Sequence, residues 1–244
     1  MQAGASPISL PNAACSLMLG ILMLQTRFPR LPGDVGHPGS FRMPVRYLTV
    51  EGASPERVVR QADTALLQPF VRAARSLVAQ GARALTTSCG FLVQFQAELQ
   101  AAVSVPVWTS ALLKLPELSN AGVITVDATS FGQTHLRLAG ARTSTPVQGL
   151  APGCALQRTL LEDRLHLDVE AAQADTVSAA QQLVSRHPEL TDLVLECTNL
   201  PPYAAAIERA TGRRVHHLVS LVHERWVAHI APLDGDVPTP IGYH

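Results

Sequence analysis

The 244-residue chain has no long hydrophobic run, no excess of charge of either sign and no paired cysteine motif, and each absence removes a class of function. Its longest apolar stretch, Ala13 to Leu24, is about a dozen residues, whereas a membrane-spanning helix takes around 20. No Lys or Arg precedes that stretch, so it lacks the charged start of a signal peptide. Nineteen basic side chains balance nineteen acidic ones, which leaves no electrostatic footprint for a nucleic-acid backbone. Cysteines occur only at positions 15, 89, 154 and 197. None forms CxxC, and no Cys/His cluster has zinc spacing. Gly33, Gly36 and Gly39 do not follow a strand in a GxGxxG pattern, so no nucleotide fingerprint is present. The expectation is a cytoplasmic protein with free thiols, a small-molecule partner, and no nucleic-acid or membrane partner.

What is present is an ordinary globular composition, 47% hydrophobic and 16% charged, in a chain long enough for one large or two small domains. After a polar tail over 1–14, the run SLMLGILML (16–24) has no polar alternation and reads as a strand buried on both faces, as in a parallel sheet. VRYLTV (45–50) is a second strand. Ser54 with Pro55 starts a helix whose apolar positions, Val58 through Val78, keep helical spacing up to Gly81. Further strands are predicted at 82–88, 105–109, 122–126, 145–148, 192–196 and 215–219. They alternate with helices at 91–101, 112–119, 130–138, 168–186, 201–211 and 221–229. Such alternation predicts an α/β fold with parallel sheets.

A helix, a strand, a cysteine and another helix occur once around ARALTTSC, ending at Cys89, and again around TDLVLEC, ending at Cys197. Two similar α/β halves follow from this repeat. In open α/β sheets, ligands bind beyond the carboxyl ends of the strands, which is where both cysteines fall. A following helix N-terminus favours a thiolate there. A single cysteine at a strand end is as readily a small buried apolar residue; two at equivalent places point to chemistry. Cys15 and Cys154 lack this placement and read as structural.

The segments TTSCGF (86–91) and ECTNLPPY (196–203) resemble the two cysteine motifs of the aspartate/glutamate racemase superfamily, and the resemblance extends from about Leu17 to Ala228. It implies two Rossmann-like lobes related by a pseudo-two-fold axis, 1–115 plus 216–244 and 116–215, with the active site in the cleft between them. It also implies no pyridoxal phosphate or metal, and commonly a homodimer. The implied activity is cofactor-independent racemisation or epimerisation of a carboxylate, most simply an amino acid such as aspartate or glutamate, with Cys89 and Cys197 as the two bases. Relatives catalysing hydantoin racemisation, maleate isomerisation or arylmalonate decarboxylation, and a non-catalytic ligand-binding protein, are the alternatives. Gly90-Phe91 stands where many members have Asn-Thr, so one carboxylate donor is missing and the site is more apolar.

Around the cysteines, Thr87, Ser88 and Gly90 in the first motif and Thr198 and Asn199 in the second are candidate substrate contacts. Thr26 and Arg27 directly follow the first strand and should overhang the cleft; Arg27 either grips a carboxylate bidentately or is a solvated loop residue. Arg30 and Arg42 read as surface residues. Asp127 and Thr129, with Ser130, end the first strand of the second half, where they either reach substrate or cap a helix. His216, His217 and His223 read as surface or core histidines.

Overall fold

A computed structural model describes residues 17–231; Cys15 and the expected N-terminal tail lie outside these residues. In chain order the elements are β1 (Met18–Leu24), β2 (Val45–Val50), α1 (Leu67–Ala79), β3 (Ala82–Thr87), α2 (Gln96–Ala102) and β4 (Val107–Trp108). Then follow β5 (Ala121–Thr125), α3 (Gln133–Leu138), β6 (Val147–Gly149), α4 (Ala155–Leu161), α5 (Val169–Arg186), β7 (Asp192–Leu195), α6 (Ala204–Thr211), β8 (Arg214–His217) and α7 (Leu218–His229).

The strands form two four-stranded sheets, ordered β2-β1-β3-β4 and β6-β5-β7-β8, and every pairing is parallel. The two orders are the same, so β3 and β7 are equivalent and Cys89 and Cys197 leave equivalent strand ends. The central strands are apolar and fully enclosed: Leu19, Ile21 and Leu22 in β1, and Leu193, Val194 and Leu195 in β7, have no solvent exposure. Helices on both faces of a parallel sheet require that pattern. β8 belongs to the second sheet through its pairing with β7. Helix α7 then packs on β8 and on the 111–117 segment, and its Glu224 pairs with Lys114.

Three segments depart from the sequence reading. The helix expected from Ser54 is interrupted: a short turn at Glu56–Arg60 is followed by Ala62 at φ +46°. Asp63, whose carboxylate accepts from Ala65 N and from Arg57, caps the restart. Pro69 sits in the first turn of α1, where its missing N–H costs no helical bond. The helix after Cys89 begins as a tight 3₁₀ stretch, Gly90–Phe95, before α2. Helix α4 was not expected; it lies between a Pro-Gly turn and Asp163, and Leu156, Leu160 and Leu161 bury its inner face.

Candidate active site

Both cysteines enter one cleft between the two sheets. Its walls are Leu24, Phe28, Pro55, Val59 and the Ser88–Phe91 stretch from the first lobe, and Val126, Leu160, Leu161 and Glu196–Asn199 from the second. The space between these walls is roughly 360 Å³ with the open solvent at its mouth included. Cys89 and Cys197 carry free thiols and are 9% and 7% exposed, open enough to meet a small molecule and little else.

The equivalence of the two motifs shows in their backbone. Ser88 N donates to Leu22 O on the neighbouring strand of the first sheet, and Glu196 N donates to Ile124 O in the second. The motifs then interlock. Thr198 Oγ1 donates to Ser88 O at 2.6 Å, while on the other side Gly90 lies against the Glu196 carbonyl. A Cβ at position 90 would stand 2.1 Å from Glu196 O and 2.4 Å from its Oε1. Glycine is needed there for space. The Asn-Thr that the resemblance leads one to expect after the first cysteine has no room. Phe91 completes the seam by packing edge-on against Phe131 and His135 of the second lobe.

The structure brings Cys89, Cys197, Ser88, Gly90, Thr198 and Asn199 of the sequence candidates into the cleft. Thr87 lies just behind it, its hydroxyl donating to Thr109 O at 2.7 Å. Asp127 caps its own turn, accepting from Thr129 and Ser130; it and Thr129 are not among the cleft walls. Thr26 accepts from Arg30. The Arg27 side chain is 69% exposed and forms an ion pair at 3.0 Å with Asp163 of the other lobe, with Asp163 also accepting from the Arg27 and Phe28 amides. Arg27 therefore clasps the lobes at the rim. Arg30, read as a surface residue, is instead 14% exposed, ion-paired with buried Asp34 at 2.9 Å and stacked over Phe28 at 4.4 Å. His216 pairs with buried Asp192, and His217 accepts from Ser220 N at the start of α7.

Two acidic residues at the site were not among the expected contacts. Glu196 directly precedes Cys197 and is completely buried. Its Oε2 accepts from Thr125 Oγ1 at 2.8 Å, and its Oε1 has no partner. Burial pushes its carboxyl up to about 8, so it is mostly neutral at physiological pH. The hints in the sequence were its place at the head of the ECTNLPPY motif and a carboxylate continuing an apolar strand. Asp34, in the long loop after β1, accepts from Arg30, from Gly36 N and from the Asn199 side chain; nothing local marked it. Burial, and Glu196 after it, push the Cys89 thiol up to about 12. The same two causes raise Cys197 well above its ordinary value. The resting site therefore holds two thiols. Among the described residues no group of three His, Cys, Asp or Glu side chains could hold a metal, and no helix is long and apolar enough to cross a membrane.

No protein-family model matches the chain. It is 29% identical over 225 residues to a dimethylsulfoniopropionate lyase of Durusdinium sp. clade D, covering 82% of this chain and 71% of that protein. It is 30% identical over 211 residues to dimethylsulfoniopropionate lyase 3 of Emiliania huxleyi. That match covers 79% of this chain but only 55% of the relative, so the chain spans about half of that protein. Among solved structures, glutamate racemase from Bacillus anthracis superposes with a TM-score of 0.55 at 17% identity, over 91% of this chain and 85% of that one. Arylmalonate decarboxylase superposes with a TM-score of 0.53 at 18% identity, over 81% and 86%. The chain thus has the two-lobed fold of the aspartate/glutamate racemase superfamily.

Proposed function

We propose that the protein is a cofactor-independent enzyme in which a cysteine removes the proton α to a carboxylate, and that its reaction is elimination from a small β-substituted carboxylate. The observation that carries the first half is the placement of Cys89 and Cys197 in one cleft, each at the same strand end of its lobe. Carbon-acid chemistry needs a base beside the substrate carbon and donors at its carboxylate. Backbone N–H groups following the two cysteines are the available donors.

Two observations favour elimination over the amino-acid racemisation expected from the motifs. The lyase relatives cover about four-fifths of this chain. The cleft walls are also poorly suited to an amino acid: Leu24, Phe28, Val59, Phe91, Val126, Leu160 and Leu161 dominate them. The one carboxyl there, Glu196, is neutral and sealed under Gly90. An ammonium group would go unpaired. A dimethylsulfonio group spreads its charge over apolar methyls and suits such walls and the faces of Phe28 and Phe91.

The step balances without a redox partner. A thiolate takes the α-proton and that C–H electron pair becomes the Cα–Cβ double bond. The Cβ–S bond breaks with its pair leaving on neutral dimethyl sulfide. An α,β-unsaturated carboxylate remains, and the thiol returns its proton to water. The cationic substrate also lowers the cost of forming a thiolate beside it.

The test is to incubate the full chain with 3-(dimethylsulfonio)propanoate in deuterium oxide, measuring dimethyl sulfide by gas chromatography and the olefinic protons by NMR. Aspartate and glutamate are run in parallel for α-proton exchange. Sulfide release is expected. Exchange of an amino acid's α-proton with no sulfide release would return the site to racemisation.

A further inference from the structure

The two cysteines occupy equivalent strand ends but unequal surroundings, and the inequality starts from a loop of the first lobe. Buried Asp34 is ion-paired with Arg30 and accepts from Gly36 N through the same Oδ1. Its other oxygen accepts from the Asn199 side chain. A carboxylate held by a guanidinium only accepts, so the Asn199 amide must present its NH₂ group to Asp34. Its carbonyl oxygen is then fixed toward the other side, where Cys197 Sγ lies 3.6 Å away as the donor. A carbonyl oxygen accepts a thiol hydrogen and repels a thiolate.

From this geometry we infer that Asn199, locked by Asp34 and Arg30, is a positioning residue that holds Cys197 as the thiol and leaves Cys89 as the base. The other groups facing each sulfur agree. Besides burial, Cys197 has the acidic groups Glu196, Cys89 and Asp34 about it, with the backbone N–H of Asn199 in its favour. Cys89 has Glu196 against it, but the Phe91 and Leu92 N–H groups and the Arg30 charge favour its ionised form.

The inference rests on the elimination reading and sharpens it. A racemase must present a competent base on both faces of the carbon. An elimination that expels a neutral sulfide needs one base and no acid for the leaving group. Once substrate binds, a Cys197 kept protonated can turn its one S–H from Asn199 Oδ1 to the substrate carboxylate and donate there as charge gathers. The site is built for one direction of proton removal.

The experiment reads the thiols without substrate. Wild-type protein is treated with iodoacetamide from pH 7 to 9.5, and modification of Cys89 and Cys197 is followed separately by peptide mass spectrometry. Their exposures are nearly equal, so the ratio of rates reports ionisation. Cys89 is expected to react at least about tenfold faster, which a difference of one pKa unit would produce. In Asp34→Asn the amide at 199 can turn its NH₂ toward the sulfur, and the Cys197 rate should rise about tenfold relative to Cys89. Equal rates, or a faster Cys197, in the wild type would overturn the inference even where the variant does not fold. The expected wild-type order with a folded Asp34→Asn variant of unchanged ratio would remove Asn199 from the account. Either failure leaves sulfide release, and so the elimination reading, untouched.

Discussion

At the residue scale, the tightest constraint is Gly90 against Glu196. Because the obstructing atom is a backbone carbonyl, a methyl group at 90 cannot be absorbed by a rotamer change. Gly90→Ala should destabilise the protein by about 1–3 kcal/mol, the usual range for overpacking, or force the motifs apart and cost activity. Thermal unfolding and turnover of that variant check both. Glu196 itself makes stability depend on pH. Its folded carboxyl titrates at about 8 against 4.5 for the free group, so between those values the unfolded chain is ionised where the folded one is not. Stability should therefore be fullest below pH 4.5 as far as this group is concerned. It should fall as pH rises through the window, by up to about 1.4 kcal/mol per pH unit. Glu196→Gln should flatten that slope in denaturant melts at pH 5 and pH 8; an unchanged slope would place the titration elsewhere. The cysteines were legible in the sequence because they repeat at matched strand ends. Glu196, Asp34 and Arg30 were not, because their roles exist only once the two motifs and the loop after β1 meet.

At the element scale, His217 shows how one side chain ties β8 to α7. Its ring nitrogen Nδ1 accepts from Ser220 N while Ser220 Oγ donates to His217 O, closing the first turn of the helix reciprocally. Burial, with His223 and His216 nearby, lowers its pKa from 6.5 to about 4. The neutral ring is the folded form, so this contribution is complete above pH 6.5 and is lost as pH falls through 4. His217→Asn keeps a capping oxygen and should unfold with less loss of stability between pH 6.5 and 4 than the wild type, as followed by far-UV circular dichroism. The central strands β1 and β7 were read well because they are almost wholly apolar and buried on both faces. The failures were helical. Spacing over Val58 to Val78 was continuous, yet Ala62 and Asp63 break the helix through a positive φ and a cap. Conversely α4 is only seven residues long and bounded by turn residues, so its apolar stripe was too short to stand out.

At the scale of the whole molecule, two sheets of identical strand order meet at their carboxyl edges, and that meeting creates the site. Arg27 and Asp163 clasp the rim, Thr198 reaches across to Ser88, and Phe91 crosses to Phe131. The exposed Arg27 pair is worth at most about 1 kcal/mol, so Arg27→Ala should leave the melting transition nearly unchanged. If the clasp orders the rim, the variant's KM should rise more than its kcat falls.

The central claim is that both cysteines act together in that cleft on the carbon next to a carboxylate. The most direct measurement is turnover of 3-(dimethylsulfonio)propanoate by Cys89→Ala and Cys197→Ala, each shown by circular dichroism to keep the wild-type fold. Removing the base costs about 10²–10⁴-fold and removing a donor at the developing charge about 10²–10³-fold, so loss of at least 10²-fold is expected in both variants. A folded variant of either kind that releases dimethyl sulfide at near the wild-type rate would contradict the account.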